Sequence, residues 1–251
     1  MFLDKYKNII CFDTETTGLN FKDDDIIEFA MLVFSNENNV LTKKYQIDVF
    51  VKTSFNIETK MTDRLNANGE PMSISELTHI KNKDVQNGVE QDKIAKNVWN
   101  LFFQPDTLIT GYNIFFDMNM VRGLLRKTGY SEADIANALA SVDYLDFYTV
   151  YMDNYHYSFF KVQNKRLGHT LDAAVKNFKI THKNTHRAID DTIATWMVGD
   201  VLKDEVRNID KYINVFGYNL KYEFDENNKF GKKTKFLPVD HSRLGSIYGQ
   251  L

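Results

Sequence analysis

The sequence is poor in the features that mark secreted or membrane proteins. It has one cysteine, Cys11, among 251 residues, which excludes an intramolecular disulfide and a zinc site built from several cysteines. No stretch approaches the roughly 20 apolar residues that a transmembrane helix requires. Residues 1–5 lack the basic and apolar regions of a secretion signal. These absences predict a soluble protein of the cytoplasm that makes no contact with a membrane.

The sequence also lacks an excess of positive charge. Its formal net charge is −3 and its pI is about 6.1, which excludes a protein that coats nucleic acid by bulk electrostatics. The basic residues are nevertheless unevenly distributed, because seven Lys or Arg residues and a single acid, Asp172, lie between positions 161 and 187. A local basic face of this kind is enough for an enzyme that binds a charged polymer at one site.

The apolar content is sufficient for a folded core. Hydrophobic residues make up 43% of the chain and aromatic residues 14%, which offsets the entropy lost on folding. The apolar pattern predicts strands first, with residues 54–75 as a loop, and then alternating helices and strands. This order indicates an α/β fold, a mixed β-sheet flanked by helices. The predicted strands are residues 8–12, 26–34, 40–52, 107–112 and 142–145, and the helices are 94–102, 116–127, 131–140, 146–155, 167–178 and 186–202.

The character of the sequence changes after residue 204. Residues 218–224 and 232–237 alternate apolar and polar side chains around the turn-forming residues 225–228, which predicts a β-hairpin. The chain therefore divides into a domain of residues 1–204 and a C-terminal hairpin extension of residues 205–251.

An acidic pair follows the first predicted strand. Asp13 and Glu15 come directly after the apolar residues 8–12. Side chains alternate along a strand, so both carboxylates point to the same side at a strand end. Carboxylate oxygens in this arrangement suit magnesium or manganese. Taken alone, the pair also fits a solvated loop beside a turn.

Two further acidic segments stand at the starts of predicted helices. Asp117 follows the strand at 107–112, where a carboxylate also fits a simple interaction with the helix dipole. His186 lies five residues before Asp191, a little more than one helical turn, so the two side chains can share a cleft. Taken alone, His186 fits a capping histidine, and one acid of the pair Asp190 and Asp191 fits an exposed helix surface.

Together and in this order, the three segments resemble the motifs of the DEDD exonuclease superfamily in its histidine-bearing, DnaQ-like branch. The motifs occupy residues 12–18, 112–117 and 186–191, and the resemblance covers roughly residues 7–203. It is greatest for proofreading exonucleases of the bacterial replicative type. The branch that uses a tyrosine would place it where this chain has Arg187.

The resemblance implies a ribonuclease H-like fold and a site of five residues: Asp13, Glu15, Asp117, His186 and Asp191. The four carboxylates would bind two Mg²⁺ ions, for which Mn²⁺ could substitute, and His186 would act as the general base. The family spacing selects His186 over His182 and Asp191 over Asp190. Two metals activate water, neutralise the phosphate and stabilise the leaving 3′ oxygen, and a histidine of pKa about 6.5 accepts the proton at neutral pH.

The resemblance also implies how the substrate is held. The main chain near Thr16 and Thr17 would bind the terminal nucleotide, Leu19 would wedge against its base, and Asn113 would steady the strand. Asp143 and Asp146 fit either a place near the site or a surface or capping role. Tyr112 stands where many relatives have a histidine, and residues 205–251 lie outside the resemblance to the family, so the substrate is the open question.

The leading hypothesis is a 3′-to-5′ exonuclease that acts on single-stranded DNA and releases 5′-mononucleotides, in proofreading or repair. One alternative is an RNA-trimming exoribonuclease, because the same carboxylates serve both polymers. The other is a nucleic-acid-binding or polymerase-docking module, although a pure scaffold has no need for converging acids. A replicative polymerase or another protein could bind through the C-terminal extension in either case.

Overall fold

The structure is a computed structural model that describes residues 5–38, 40–155, 169–182, 187–217 and 235–237. Its strands are β1 (Asn8–Thr16), β2 (Ile26–Glu37), β3 (Val40–Phe50), β4 (Met61–Leu65), β5 (Pro71–Ser73), β6 (Thr107–Gly111), β7 (Asp143–Asp146), β8 (Val215–Gly217) and β9 (Lys235–Leu237). Its helices are α1 (Ile74–Thr78), α2 (Asn82–Gln86), α3 (Gln91–Phe102), α4 (Ile114–Lys127), α5 (Glu132–Ser141), α6 (Phe147–Asn154), α7 (Leu171–Asn177) and α8 (Ala188–Glu205).

The central sheet has five strands in the order β3-β2-β1-β6-β7. β1 pairs antiparallel with β2, and β2 pairs antiparallel with β3. On its other side β1 pairs parallel with β6, which pairs parallel with β7. The sheet is therefore mixed, as predicted. Because β1, β6 and β7 run in the same direction, their carboxyl ends meet at one edge, where α/β proteins place their sites.

The sheet is covered by helices on both faces. One buried cluster joins Ile10 and Phe12 of β1 to α3, α4 and α5, and a second joins Ile9 to α6, α7 and α8. Neighbouring residues of β1 thus enter opposite clusters, as the two-residue period of a strand requires. Burial on both faces explains why β1 and β2 are nearly continuous apolar runs in the sequence. Among the described helices, none has the length and apolar character needed to cross a membrane.

The segment predicted as a loop at residues 54–75 contains a small hairpin. β4 and β5 pair antiparallel, with Met61 opposite Ser73 and Leu65 opposite Pro71. Of the eight residues in these strands, five are exposed, two are half-exposed and only Ser73 is buried, without regular alternation. A strand that buries neither face leaves no period-two signal, which is why the sequence pattern missed it.

The fold continues past the predicted boundary at residue 204. Ile209 and Tyr212 are buried in the second cluster and Phe216 in the first. Asn214 pairs with Tyr144 of β7 through two hydrogen bonds of 2.8 and 3.0 Å. We therefore propose that the domain extends at least to Gly217. Most of the predicted hairpin lies outside the described residues. The described part is β9, which pairs parallel with β8.

Candidate active site

Three of the predicted acids converge at the carboxyl end of β1. One carboxylate oxygen from each of Asp13, Glu15 and Asp191 lies within 4.8 Å of the others. β1 supplies Asp13 and Glu15 on one side of the strand, and the first turn of α8 supplies Asp191. α8 is held against β1 at this point, where the thiol of Cys11 contacts the carbonyl oxygen of Thr192 at 3.7 Å. The alternation predicted for residues 13 and 15 is thus present in the structure.

A buried glutamate fixes the start of α8. Glu28 of β2 lies opposite Glu15 and is 0% exposed. Its Oε1 accepts from Nε and Nη2 of Arg187 at 2.9 and 2.6 Å, and its Oε2 accepts the main-chain N–H of Ala188 at 3.0 Å. The Arg187 guanidinium also lies 4.9 Å from the centre of the Phe50 ring. These contacts set the position of the helical turn that carries Asp191.

The fourth predicted acid, Asp117, lies beside β1 in the first turn of α4. Its Oδ1 accepts the main-chain N–H of Thr14 at 3.0 Å and the Thr14 hydroxyl at 2.7 Å. Burial raises the pKa of Asp117 to about 7, although the two hydrogen bonds from Thr14 oppose the shift. Its negative charge also helps raise the pKa of Asp13. Asp117 therefore belongs to the same electrostatic site, while its role as a metal ligand stays a prediction.

The acids repel one another in a buried setting. Burial, followed by the charges of Asp117 and Asp191, raises the pKa of Asp13 well above its usual range. Burial and the charge of Asp191 do the same for Glu15. The pKa of Asp191 rises to about 7 through burial and the neighbouring charge of Asp172. Such a cluster is costly without a compensating cation.

The donor set fits a hard divalent cation. Within the described part of the chain, the buried Oδ1 of Asp191 has no hydrogen-bond donor. A buried carboxylate oxygen left without a donor costs free energy that a metal ion would recover. Oxygen ligands on three nearby side chains are the kind that Mg²⁺ and Mn²⁺ prefer.

Asp146 holds the turn that leads into α4. It is buried at the end of β7, and its Oδ1 accepts the main-chain N–H groups of Asn113, Ile114 and Tyr148 at 2.8, 3.3 and 3.2 Å. Asn113 has φ of 62°, in the left-handed region. Asp146 thus caps α4 and α6 together and stabilises the strained Asn113. The structure shows the capping role of Asp146, and its charge also helps raise the pKa of the neighbouring Asp117.

The predicted substrate-binding residues lie around this edge of the sheet. Thr16 ends β1, and its hydroxyl donates to the Gly18 carbonyl at 2.7 Å. Thr17 is buried, whereas the side chain of Leu19 is 59% exposed. Asn113 forms the N-cap of α4. Their contacts with a substrate stay predictions.

The two histidines weighed as general base, His186 and His182, differ in what the structure says of them. His186, the predicted general base, lies outside the described residues. The competing His182 donates from Nε2 to the main-chain carbonyl of Asp190 at 3.0 Å. His182 therefore contributes to the first turn of α8.

Tyr112 donates from its hydroxyl to the His169 carbonyl at 2.7 Å, which ties β6 to the segment before α7.

Sequence reasoning missed Glu28 and assigned no structural role to Arg187. A signal was present, because Glu28 is the one charged residue within the apolar stretch of residues 26–34. A charged residue in a strand that is buried on both faces must be paired. The pairing partner, 159 positions away, depends on tertiary structure.

Comparisons with known proteins agree with the site. A family model described as an exonuclease matches residues 10–198, which is more than half of the chain. The DNA polymerase III PolC-type of Ureaplasma parvum is 26% identical over 244 residues, covering 95% of this chain and 15% of that protein. The PolC-type polymerase of Listeria monocytogenes is 26% identical over 212 residues, covering 82% of this chain and 12% of that protein.

Solved structures share the fold. E. coli exonuclease I in complex with a dT13 oligonucleotide has a TM-score of 0.60 and 20% identity, over 82% of this chain and 42% of that chain. Exonuclease I from Methylocaldum szegediense has a TM-score of 0.59 and 17% identity, over 80% and 41%. The chain thus spans less than half of these structures and less than a sixth of the polymerases. The match to the family model confirms the resemblance: the chain belongs to the exonuclease family, in its DnaQ-like branch with a ribonuclease H-like fold.

Proposed function

We propose that this chain is a divalent-metal-dependent 3′-to-5′ exonuclease that removes 5′-mononucleotides from the 3′ ends of single-stranded DNA. The observation that carries the proposal is the convergence of Asp13, Glu15 and Asp191 within 4.8 Å at the carboxyl end of β1. A buried cluster of acids has no structural benefit of its own, because each charge raises the cost of burying the next. The cluster therefore favours an enzyme over a binding or docking module.

Asp13, Glu15, Asp117 and Asp191 would hold two Mg²⁺ ions. When bound, the ions would supply charge neutralisation at the scissile phosphate and at the leaving 3′ oxygen. The residues support this assignment in two ways: the carboxylates lie close together, and the buried Oδ1 of Asp191 lacks a hydrogen-bond donor within the described residues. Mn²⁺ has the same preference for oxygen ligands and would substitute.

The chain's own residues would bind the strand and move the proton. His186 would accept the proton of the attacking water, which in other enzymes contributes about 10²–10⁴ in rate. The main chain at Thr16 and Thr17 would hold the terminal nucleotide, and Asn113 would position the strand. Leu19, exposed on the loop after β1, would lie against the terminal base.

The identities of the similar proteins favour DNA over RNA as the substrate. The curated relatives of this chain are DNA polymerases, and the similar exonuclease I was solved with dT13 and dA16 oligonucleotides. An RNA-trimming activity is the alternative, since the same four carboxylates would serve both polymers. Digestion of DNA and RNA oligonucleotides of the same sequence, side by side in Mg²⁺, separates the two. Faster release of nucleotides from RNA would reverse the assignment.

A proofreading role, with association to a replicative polymerase, is the pathway we propose. It is supported by the 26% identity to PolC-type polymerases, of which this chain matches only a small part. The predicted extension after residue 204 is the segment proposed to contact the polymerase. The single cysteine, Cys11, is buried and unpaired with another cysteine, which fits a reducing cytoplasm.

A further inference from the structure

The loop between β1 and β2, residues 17–25, presents an apolar side chain to solvent. Leu19 is one of five large hydrophobic residues that are exposed among the described ones. The loop leaves β1 after Thr16, the residue that follows Glu15, so Leu19 stands close in sequence to the acid cluster. An apolar side chain that must press against a base at this place needs a rigid support.

The carboxylate of Asp24 supplies that support. Its Oδ2 accepts the main-chain N–H of Asn20 at 2.9 Å, and its Oδ1 accepts from the Thr17 hydroxyl at 3.1 Å. Thr17 and Asn20 flank Leu19, so one carboxylate fixes the chain on both sides of it. A Cβ atom at Gly18 would lie 2.3 Å from Oδ2 of Asp24, which shows how closely the loop wraps around this group.

Lys60 fixes Asp24 from outside the loop. Its Nζ lies 2.7 Å from Oδ1 of Asp24 and 3.9 Å from the centre of the Phe55 ring. The pair is largely shielded, because the side chains of Lys60 and Asp24 are 29% and 10% exposed. Shielding strengthens the attraction relative to an ion pair in water. Lys60 directly precedes β4, so the ion pair fastens the Leu19 loop to the hairpin of β4 and β5.

We propose that the Asp24–Lys60 ion pair is a positioning element that holds Leu19 as a rigid wedge, and that it determines how well the enzyme attacks a base-paired 3′ end. This rests on the proposed exonuclease function. Separating a terminal base from its partner and its stack costs a few kcal/mol. A loosely held loop would move aside, whereas an unpaired 3′ end needs no separation and would not depend on the support.

The test compares three DNA substrates in Mg²⁺ with the full chain: a single strand, a hairpin with a paired 3′ end, and the same hairpin with a 3′-terminal mismatch. The variants are Lys60→Met and Asp24→Asn. Lys203→Met is the matched control, since its Nζ lies 2.7 Å from Asp200 and its side chain is 28% exposed. Leu19→Ala should reproduce the loss on the paired end. Thermal unfolding of each variant confirms that it is folded.

We expect Lys60→Met to slow hydrolysis of the paired end about tenfold, the effect of disordering roughly one loop residue. Its rate on the single strand should stay within about twofold of wild type, the mismatched hairpin should be intermediate, and Lys203→Met should resemble wild type. Equal losses on all three substrates, no loss on the paired end, or a wild-type enzyme inactive on paired ends would overturn the proposal. A wild-type chain that degrades no single strand would instead overturn the exonuclease function itself.

Discussion

At the scale of single residues, the acids of the site are distinguished by burial. Asp13, Asp117 and Asp191 all have raised pKa values, with burial as the largest cause. Raised pKa values of this size in a group of neighbouring carboxylates are typical of functional sites. The same residues make the metal-free protein less stable, because the fold must accommodate their charges.

This cost predicts a pH dependence of stability without metal. The pKa of Asp191 is about 7 in the folded chain and about 3.9 in an unfolded one. The folded state thus binds more protons, so the contribution of Asp191 to stability is fully present below about pH 4 and is lost as the pH rises through 7. Asn cannot titrate. In EDTA, urea unfolding from pH 5 to 8 should show the wild type losing stability relative to Asp191→Asn.

Addition of Mg²⁺ at pH 8 provides the control. It should raise the wild-type unfolding free energy more than that of Asp191→Asn, because binding to the folded state stabilises it. Parallel pH curves for the two proteins in EDTA would contradict the electrostatic account of the site.

The assignment of the general base is a second prediction at this scale. His186→Ala should lower the single-turnover rate by roughly 10²-fold or more, because it removes a proton acceptor and no carboxylate ligand. His182→Ala should have little effect on the rate, since the contacts that the structure gives for His182 are to Asp190, at its main-chain carbonyl and its carboxylate, and not to the acid cluster. The Mg²⁺ dependence of both variants should match wild type. The opposite order of damage would reassign the base to His182.

At the scale of elements, the site depends on how helices are attached to the sheet edge. Glu28 fixes the start of α8, and Asp146 fixes the starts of α4 and α6. Both are buried acids that receive main-chain N–H donors at helix N-termini, where the helix dipole stabilises a negative charge.

Removal of the Asp146 carboxylate, which caps both α4 and α6, should destabilise the fold and slow catalysis. Asp146→Ala leaves the half-buried N–H of Asn113 and the buried N–H of Ile114 without their acceptor, and we expect a loss of about 2–4 kcal/mol in unfolding free energy. Asp84→Ala is the matched control, because Asp84 caps the exposed α2 through the N–H of Lys81 at 2.9 Å and should cost at most about 1 kcal/mol. Urea unfolding measures both, and equal losses would show that the buried cap has no special role.

The elements also show what the sequence could predict. β1, the acids at its end and the helices around Asp117 and Asp191 follow from local period and from motifs, and the structure contains them. The hairpin of β4 and β5 was missed because its strands bury no face, so no alternation marks them. The Glu28–Arg187 pair joins residues far apart in sequence, and only the folded sheet brings them together.

At the scale of the whole molecule, the C-terminal limit of the domain decides which residues can be deleted without unfolding the chain. Tyr212 and Phe216 are each 1% exposed and lie beyond the boundary predicted at residue 204. Loss of one buried aromatic side chain costs about 3–5 kcal/mol. A chain ending at residue 204 should therefore be unfolded at room temperature, whereas one ending at 217 should fold.

The shorter of the two deletions also tests the extension. The chain of residues 1–217 should cleave a saturating short oligonucleotide at the wild-type rate, because the five predicted catalytic residues are retained. It should bind long strands more weakly and with a shallower salt dependence, through loss of Lys229, Lys232, Lys233 and Lys235. Circular dichroism checks folding first. Equal stability of the two chains would restore the boundary at 204, and unchanged salt slopes would leave the extension without a role in DNA binding.

The central claim is tested most directly by digestion of 5′-labelled single-stranded DNA in Mg²⁺ by the wild type, Asp191→Asn and the neighbouring control Asp190→Asn. The wild type and Asp190→Asn should shorten the strand stepwise from its 3′ end and release 5′-mononucleotides, and excess EDTA should stop both. Asp191→Asn should be slower by at least about 10³-fold, because it removes a carboxylate at the centre of the acid cluster. Full activity of Asp191→Asn, digestion in excess EDTA, or cleavage of closed circular single strands would contradict the assignment of this site.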